Sequence, residues 1–346
     1  MPAHPRPTPA ERTPDASPAP VAATMRAVVQ HRYGDAARLR VEQVHRPGIA
    51  EHEVLVAVHA AGLSRGTWHL MTGQPWLLRL AFGLRGPRQR VIGQDLAGRV
   101  VAVGTAVTRF TPGDEVYGIG RGTFAEYAAA REDKLAHKPR NLTFEQASVA
   151  PVSGLTALQG LLDVGRLEAG QRVLITGASG GVGSHAVQIA KAAGAEVTAV
   201  CSAAKADLAR SLGADHVLDH SREDFADGTR RYELILDIAG NPSLTRLRRA
   251  LTHTGTAVIV GGEGGGRLAG GLDRQLRASV LSRFVGQRLT SFIATEQGSD
   301  LERLTELIEA GSLIPSVERT YPLERAAEAM EHLAAGRVRG KVALTL

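Results

Sequence analysis

Three shortages limit what this chain can be. It has a single cysteine, Cys201, in 346 residues, which excludes an intramolecular disulfide and a cysteine-rich zinc lobe and points to a reducing compartment, the cytoplasm. No apolar run reaches the roughly 18 residues of a membrane-spanning helix, and no apolar segment near the start can act as the core of a signal sequence. Aromatic residues make up only 4% of the chain. The net charge of +6 and the pI near 9.8 come from scattered arginines, not from a basic block interleaved with aromatics, which argues against a nucleic-acid groove. No internal repeat is visible. The length suffices for two domains of ordinary size, each with its own core.

Glycine is the residue the chain does not lack, and it is concentrated where it matters. Residues 172 to 183 read RVLITGASGGVG and 184 to 193 read SHAVQIAKAA: a short β-branched run breaks at glycines and gives way to helical apolar spacing, so strand, tight turn and helix are expected in that order. Ala178, Gly180 and Gly183 match the dinucleotide fingerprint with alanine in the first place, and Ala178, Ser179, Gly180, Gly181, Val182 and Gly183 would carry the pyrophosphate on the free N–H groups of the new helix. A plain strand-turn-helix is the alternative for the glycines alone. A second apolar run, Glu196 to Cys201, completes a βαβ unit. Further strand candidates at 216–218, 233–237 and 256–260 alternate with helix-like segments, the pattern of an α/β doubly wound parallel sheet.

The end of the second strand selects the cofactor. An NAD enzyme places Asp or Glu about 20 residues past the glycines to bind the ribose 2′-hydroxyl, but residues 201 to 205 here are Cys, Ser, Ala, Ala and Lys. Ser202 can donate a hydrogen bond and Lys205 supplies a charge, which suits the 2′-phosphate of NADPH. An ordinary solvated residue is the alternative for Lys205.

Taken in order, residues 1–24 are rich in Pro, Ala, Thr and Ser and read as a disordered tail, and Met25 opens the first strand. Short β-rich runs alternating with Gly/Pro turns from Val54 to Gly118 indicate a small antiparallel barrel, extended by a strand at 122–127. A helix is expected over 144–148, a mobile loop over 261–271, and helices over 301–309 and 323–333. The closing segment 341–346 reads as a strand returned to the first domain. The expected domains are therefore 25–148, completed by 291–346, and 149–290. The run 284–294 is a candidate edge strand pairing across a two-fold axis in a homodimer.

With these segments in view, the chain resembles the medium-chain dehydrogenase/reductase superfamily over essentially everything after Met25. The resemblance is carried by residues 97–104 (AGRVVAVG), 112–116 (PGDEV), 155–158 (LTAL), the glycine motif, 212–215 (LGAD) and Gly340-Lys341. It implies a GroES-like β-barrel catalytic domain, a Rossmann domain, a cleft between them, and hydride transfer. Zinc-dependent members need a thiolate, the imidazole of a Gly-His-Glu motif and a third ligand. Here the corresponding places hold Ser64, Gly93-Gln94-Asp95 and Val152, so no catalytic zinc is expected; a stray metal on His69 and Asp95 is the alternative. The chain instead looks like the zinc-free quinone oxidoreductase and enoyl reductase branch.

The same resemblance nominates site residues. His69 aligns with a tyrosine of many quinone reductases and with a proton-relay histidine of zinc enzymes, so His69 and Ser64 are the candidate catalytic residues, with packing in a loop as the alternative for His69. Trp68 and Trp76 line a pocket or the core, and for Leu77 and Phe82 the core is expected. Thr156 corresponds to a nicotinamide-side contact; Asp237, Gly240, Val260, Gly261 and Gly262 end strands along the cofactor edge; His220 stands where an aromatic often meets the adenine. For Asp237 and His220 the alternatives are a strand terminator and an exposed loop residue. The implied activity is NADPH-dependent, zinc-free reduction of a small quinone or α,β-unsaturated carbonyl compound. An alcohol dehydrogenase or ketone reductase and a catalytically idle binding protein of the same fold remain the rival readings.

Overall fold

The computed structural model describes residues 23–261, 266 and 270–346. The expected tail up to residue 22, Gly262, and most of the expected loop over 261–271 lie outside the described residues. The first sheet is a two-stranded antiparallel ribbon, β1 (Thr24–Val29) with β2 (Arg40–His45). A seven-stranded sheet follows, built from β3 (Glu53–Gly62), β4 (Asp95–Val103), β5 (Glu115–Ile119), β6 (Tyr127–Arg131) and β7 (Leu135–His137), closed by β14 (Val317–Pro322) and β15 (Lys341–Thr345) from the far end of the chain. β15 lies antiparallel to β3, so the C-terminus returns to the first domain.

The strand expected at 122–127 meets the observed one only at Tyr127. Gly122 adopts a φ of +66°, which turns the chain, and only Ala125 makes an isolated bridge, to Ala27. The strand is β6, whose Ala128, Ala129 and Ala130 are buried against β3. Alanine is a weak strand former, so packing against neighbours overrides local propensity here. Likewise β5 starts only at Glu115, because residues 111–114 form a turn: Gly113 is at φ +103° and Asp114 Oδ2 accepts from the Thr111 N–H at 2.8 Å.

The third sheet has six parallel strands: β8 (Arg172–Thr176), β9 (Glu196–Cys201), β10 (His216–Asp219), β11 (Tyr232–Asp237), β12 (Leu251–Ile259) and β13 (Arg288–Ser291), in spatial order β10-β9-β8-β11-β12-β13. Successive residues feed opposite faces. Val173, Ile175, Leu234, Leu236 and Val258 enter one core, while Leu174, Ile235, Ala257 and Ile259 enter another, as a sheet covered by helices on both sides requires. The order reverses between β8 and β11, which makes the carboxyl ends of these two strands the topological switch point where open α/β sheets bind ligands.

The helices are α1 (Arg65–Thr72), α2 (Arg79–Phe82), α3 (Phe144–Ser148), α4 (Pro151–Leu158), α5 (Gly181–Ala192), α6 (Ala206–Ser211), α7 (Leu244–Ala250), α8 (Leu272–Leu281), α9 (Gly298–Glu309) and α10 (Ala326–Ala334). The two domains share core: Ala97, Tyr117 and Ile119 of the barrel pack in one cluster with Leu155, Leu301 and Leu304. The buried Tyr117 hydroxyl donates to the Leu301 carbonyl at 2.7 Å. Among the described residues no helix is long and apolar enough to cross a membrane.

Candidate active site

The glycine turn occupies the switch point. β8 ends at Thr176, Gly177 turns the chain at φ +67°, and α5 begins at Gly181 with Gly180 as its N-cap. A glycine cap brings no side chain to the first helical N–H groups, so these remain available to an anion together with the helix dipole. Gly183 is required by packing: a Cβ there would stand 2.2 Å from the Gly177 carbonyl oxygen. The turn is thus built for close backbone approach, and Ala178, Ser179, Gly180, Gly181, Val182 and Gly183 fit a dinucleotide diphosphate.

The barrel's last strand is fastened to this turn. The Gly340 N–H donates to the Ser179 carbonyl at 2.8 Å, and the fully buried Lys341 donates from Nζ to Ser153 Oγ at 3.1 Å. The Lys341 chain runs directly beneath Gly181, with Cδ 2.8 Å from where a Cβ on that glycine would stand. Its counter-ion is Asp95, whose Oδ2 lies 3.9 Å away and whose Oδ1 accepts from the Val152 N–H at 2.7 Å. Burial pushes the Asp95 carboxyl up to about 6 against the pull of Lys341, and burial pushes the Lys341 ammonium down. Lys341 was legible in the sequence only as a segment of resemblance. The signal was a lysine opening an otherwise apolar strand.

At the end of β9, Ser202 is half-buried and Lys205 donates to the carbonyls of Gly336 at 2.8 Å and Val338 at 2.9 Å. Lys205 is therefore not a plain solvated residue: it ties the segment after β9 to the loop before β15, and an ammonium with three donors keeps one direction beyond these two. His220 is exposed, with its main-chain N–H on the Cys201 carbonyl. Gly240 is exposed at φ +88°. Val260 and Gly261 donate their N–H groups to the Asp237 carbonyl at 2.9 and 3.2 Å. The Asp237 carboxylate turns inward, accepting from Thr176 Oγ1 at 3.0 Å and pairing with Arg274 of α8. Burial pushes its pKa up and Arg274 opposes the rise. Asp237 thus locks the ends of β8 and β11 together, and Arg274 is a partner that sequence reasoning missed. Thr156, on α4, spends its hydroxyl on the Val152 carbonyl at 2.7 Å.

In the catalytic domain, Ser64 is the N-cap of α1, accepting from the Thr67 N–H at 3.3 Å. His69, half-buried on the same helix, meets the Gln74 carbonyl through Nδ1 at 2.6 Å and lies edge-on to Trp68. Leu77 is 48% exposed, so it is not core, because it falls in the short turn between α1 and α2. Phe82 is half-buried and lines a cavity instead of the core. Among the described residues that cavity is also lined by Leu70, Ile92 and Gln94 but by neither Ser64 nor His69.

The places corresponding to zinc ligands do not fit the metal. The Ser64 hydroxyl caps a helix, Gln94 offers a neutral amide, and Val152 contributes an N–H already committed to Asp95. The only thiol, Cys201, is buried at the end of β9, where burial pushes its pKa up. Among the described residues no three His, Cys, Asp or Glu side chains gather as a metal site.

Comparison with known proteins agrees with this architecture. Residues 50–140 match the alcohol dehydrogenase GroES-like domain, and residues 212–344 match the zinc-binding dehydrogenase family. The chain is 32% identical to the mitochondrial NAD(P)H oxidoreductase RTN4IP1 of Bos taurus, covering 94% of this chain and 90% of that protein. It is 32% identical to the chloroplastic NADPH-dependent alkenal/one oxidoreductase of Arabidopsis thaliana, covering 92% and 78% respectively. Among solved structures, the quinone oxidoreductase from Coxiella burnetii superposes with a TM-score of 0.80 at 27% identity, over 93% of this chain and 99% of that one. The chain belongs to the medium-chain dehydrogenase/reductase superfamily. It is an oxidoreductase that works with a nicotinamide dinucleotide.

Proposed function

We propose that this oxidoreductase uses NADPH to reduce quinones or α,β-unsaturated carbonyl compounds without zinc. The observation that carries the reading is the pairing of a dinucleotide turn at the switch point with a catalytic domain whose metal positions hold a helix cap, an amide and a committed N–H. When bound, the cofactor supplies a hydride. The turn from Ala178 to Gly183 holds the diphosphate, Ser202 and Lys205 take the 2′-phosphate, and His220 covers the adenine. Thr156, Gly240, Val260 and Gly261 border the nicotinamide, with Gly262 next in the chain, while Asp237 fixes the strand ends that carry three of them. The substrate's developing oxyanion needs donors and then a proton. His69 assists that protonation alongside water, and Ser64 contributes by holding the first turn of α1.

Names of similar proteins support both substrate classes, alkenal/one and quinone. The domain division at residues 148/149 and 290/291 belongs to the same reading. So does a homodimer formed along β13, which is the edge of its sheet and is flanked by Phe284 and Ile293, 79% and 92% exposed. A monomer in sedimentation at micromolar concentration would refute the dimer. Cytoplasmic placement rests on the lone buried Cys201 and is tested by fractionating cells that express the chain.

The test of function is a panel of quinones, enones and enoyl thioesters followed by NADPH consumption, with and without a chelator. Turnover that survives chelation is expected. Activity confined to a simple alcohol and ketone pair and lost with zinc would move the assignment to an alcohol dehydrogenase, and salt-dependent nucleic-acid binding without turnover would move it to a binding protein.

A further inference from the structure

Residues 54–94 contain five arginines and no Asp or Glu. The later part of this acid-free stretch also exposes its largest apolar side chains. Trp76, Leu77, Leu80 and Leu84 are 49%, 48%, 64% and 68% exposed, so four large apolar groups stand in water within nine residues. Among and after them come Arg79, Arg85, Arg88 and Arg90. A single exposed leucine needs no explanation, but an apolar patch bordered by charge of one sign marks a contact surface.

The local structure holds this patch outward. Trp76–Leu78 form a short helical turn that runs into α2, and at helical spacing Trp76 and Leu77 share a side with Leu80. Gly83 then turns the chain at φ +122°, and Leu84 and Arg85 emerge exposed beyond it. The base is fastened through main-chain groups: the Tyr33 hydroxyl donates to the Gly83 carbonyl at 2.9 Å, Arg79 Nε to the Gly73 carbonyl at 3.0 Å and the Arg88 N–H to the Phe82 carbonyl at 2.9 Å. Arg85, Arg88 and Arg90 are exposed, and none meets a carboxylate among the described residues; Arg88 reaches only the Ala81 carbonyl, at 3.2 Å. The carboxylates brought up beside the segment are already offset. Glu42 meets His31, whose carbonyl lies beside Gly86, at 3.0 Å, and Glu53 meets Arg121 at 2.7 Å, while the exposed Asp35 shares its segment with the exposed Arg32.

We propose that the segment from Trp76 to Arg90 seats the protein on an anionic lipid surface. Trp76, Leu77, Leu80 and Leu84 enter the boundary between headgroups and acyl chains, where tryptophan and leucine are favoured, and Arg85, Arg88 and Arg90 lie on the headgroup phosphates. The protein rests on one leaflet and does not span it. Two observations set other occupants aside. A single-stranded nucleic acid wants a row of aromatic side chains on which to stack bases, and three of the four apolar residues here are leucines. A second copy already has the β13 edge proposed for it, bordered by Leu272, Leu276, Phe284 and Ile293, and a two-fold axis through the Trp76–Arg90 segment would bring two arginine clusters together against their repulsion.

The test is flotation of the purified full chain with vesicles of an equal mixture of phosphatidylcholine and phosphatidylserine, and with vesicles of phosphatidylcholine alone. The parent should float with the mixed vesicles at low salt and lose affinity by about tenfold or more at high salt. Its tryptophan emission should shift to the blue on binding, because Trp76 is exposed whereas Trp68 is already half-buried, and Trp76→Ser should abolish the shift. Arg85→Gln, Arg88→Gln and Arg90→Gln combined should weaken binding by about 10²-fold, about fivefold for each charge. Leu80→Ser and Leu84→Ser combined should weaken it by about tenfold or more. All these side chains are wholly or largely at the surface, so thermal melts should match the parent and separate a lost contact from a lost fold. A parent that does not float with the mixed vesicles, equal affinity for phosphatidylcholine alone, or parental affinity in the arginine variant would each overturn the proposal. Self-association of the parent that the leucine variant reverses would also overturn it and give the patch to a second copy, and tighter binding to single-stranded DNA than to the vesicles would give it to a nucleic acid.

Discussion

Replacing His185 with leucine should make the fold less sensitive to acid. His185 lies on α5 and is fully buried. Its Nδ1–H donates to the Gly181 carbonyl at 2.8 Å, and its Nε2 has no partner among the described residues. Burial pushes its pKa from 6.5 down to about 4, the Gly181 bond opposing the fall and the Lys341 charge adding to it. The unfolded chain therefore takes a proton at this residue below about 6.5, whereas the folded chain refuses it until about 4. The stability contributed by the buried neutral ring is whole above the unfolded value and is lost as pH falls toward the folded one. Between pH 7 and pH 5 the loss is about 2 kcal/mol at 1.36 kcal/mol per unit. For a unit of roughly 150–250 residues this is a shift in Tm of about 4–8 °C. Leucine fills similar volume and cannot titrate; its loss of the Gly181 bond is the same at both pH values and cancels. Thermal melts of parent and His185→Leu at pH 7 and pH 5 provide the measurement. A variant that loses as much Tm as the parent over that interval would show that His185 is not the neutral buried group described here.

Three further outcomes follow from the site. Gly183→Ala puts a Cβ 2.2 Å from the Gly177 oxygen, so the turn shifts off α5; NADPH binding measured by fluorescence titration should fall by about tenfold or more, at an overpacking cost of about 1–3 kcal/mol. Lys205→Ala removes the charge offered to the 2′-phosphate and should weaken NADPH by about tenfold while leaving NADH unchanged, as expected for one charge-assisted contact; equal or tighter binding of NADH in the parent would defeat the cofactor assignment outright. His69→Phe should lower turnover by no more than about 10²- to 10⁴-fold, the range of general-acid help, without altering NADPH affinity; parental rates on every accepted substrate from pH 6 to 9 would make His69 a structural residue.

What could be read in advance was whatever chemistry is local to the backbone. The turn at 177–183 needs small residues within a few positions of one another, and the strands on either side are continuous apolar runs, so both announce themselves. β6 did not, because three alanines become a strand only through the neighbour β3 supplies. Side-chain commitments were hidden for the same reason at longer range. Asp237 meets Arg274 37 positions later, and Lys205 meets carbonyls of Gly336 and Val338 more than a hundred residues away. Gln94 could be seen only as the residue that fails to be histidine. Its place in a cavity wall and the burial of its unpartnered amide oxygen are properties of the folded surroundings.

Those long-range ties also fasten the barrel's last strand to the glycine turn. The segment from Gly336 to Lys341 reaches the nucleotide domain at several points: Lys205 on Gly336 and Val338, Arg339 on the Ala204 carbonyl at 3.2 Å, Gly340 on Ser179, and Lys341 on Ser153. Pulling this strand away would unpair a set of buried or half-buried groups at once and leave the Lys341–Asp95 pair without its Ser153 contact. Each buried group stranded in that way costs about 1–3 kcal/mol. The opposite wall is tied more locally: Trp76, Leu77 and Leu80 are 49%, 48% and 64% exposed, while the Tyr33 hydroxyl donates to the Gly83 carbonyl at 2.9 Å, Arg79 Nε to the Gly73 carbonyl at 3.0 Å and the Arg88 N–H to the Phe82 carbonyl at 2.9 Å.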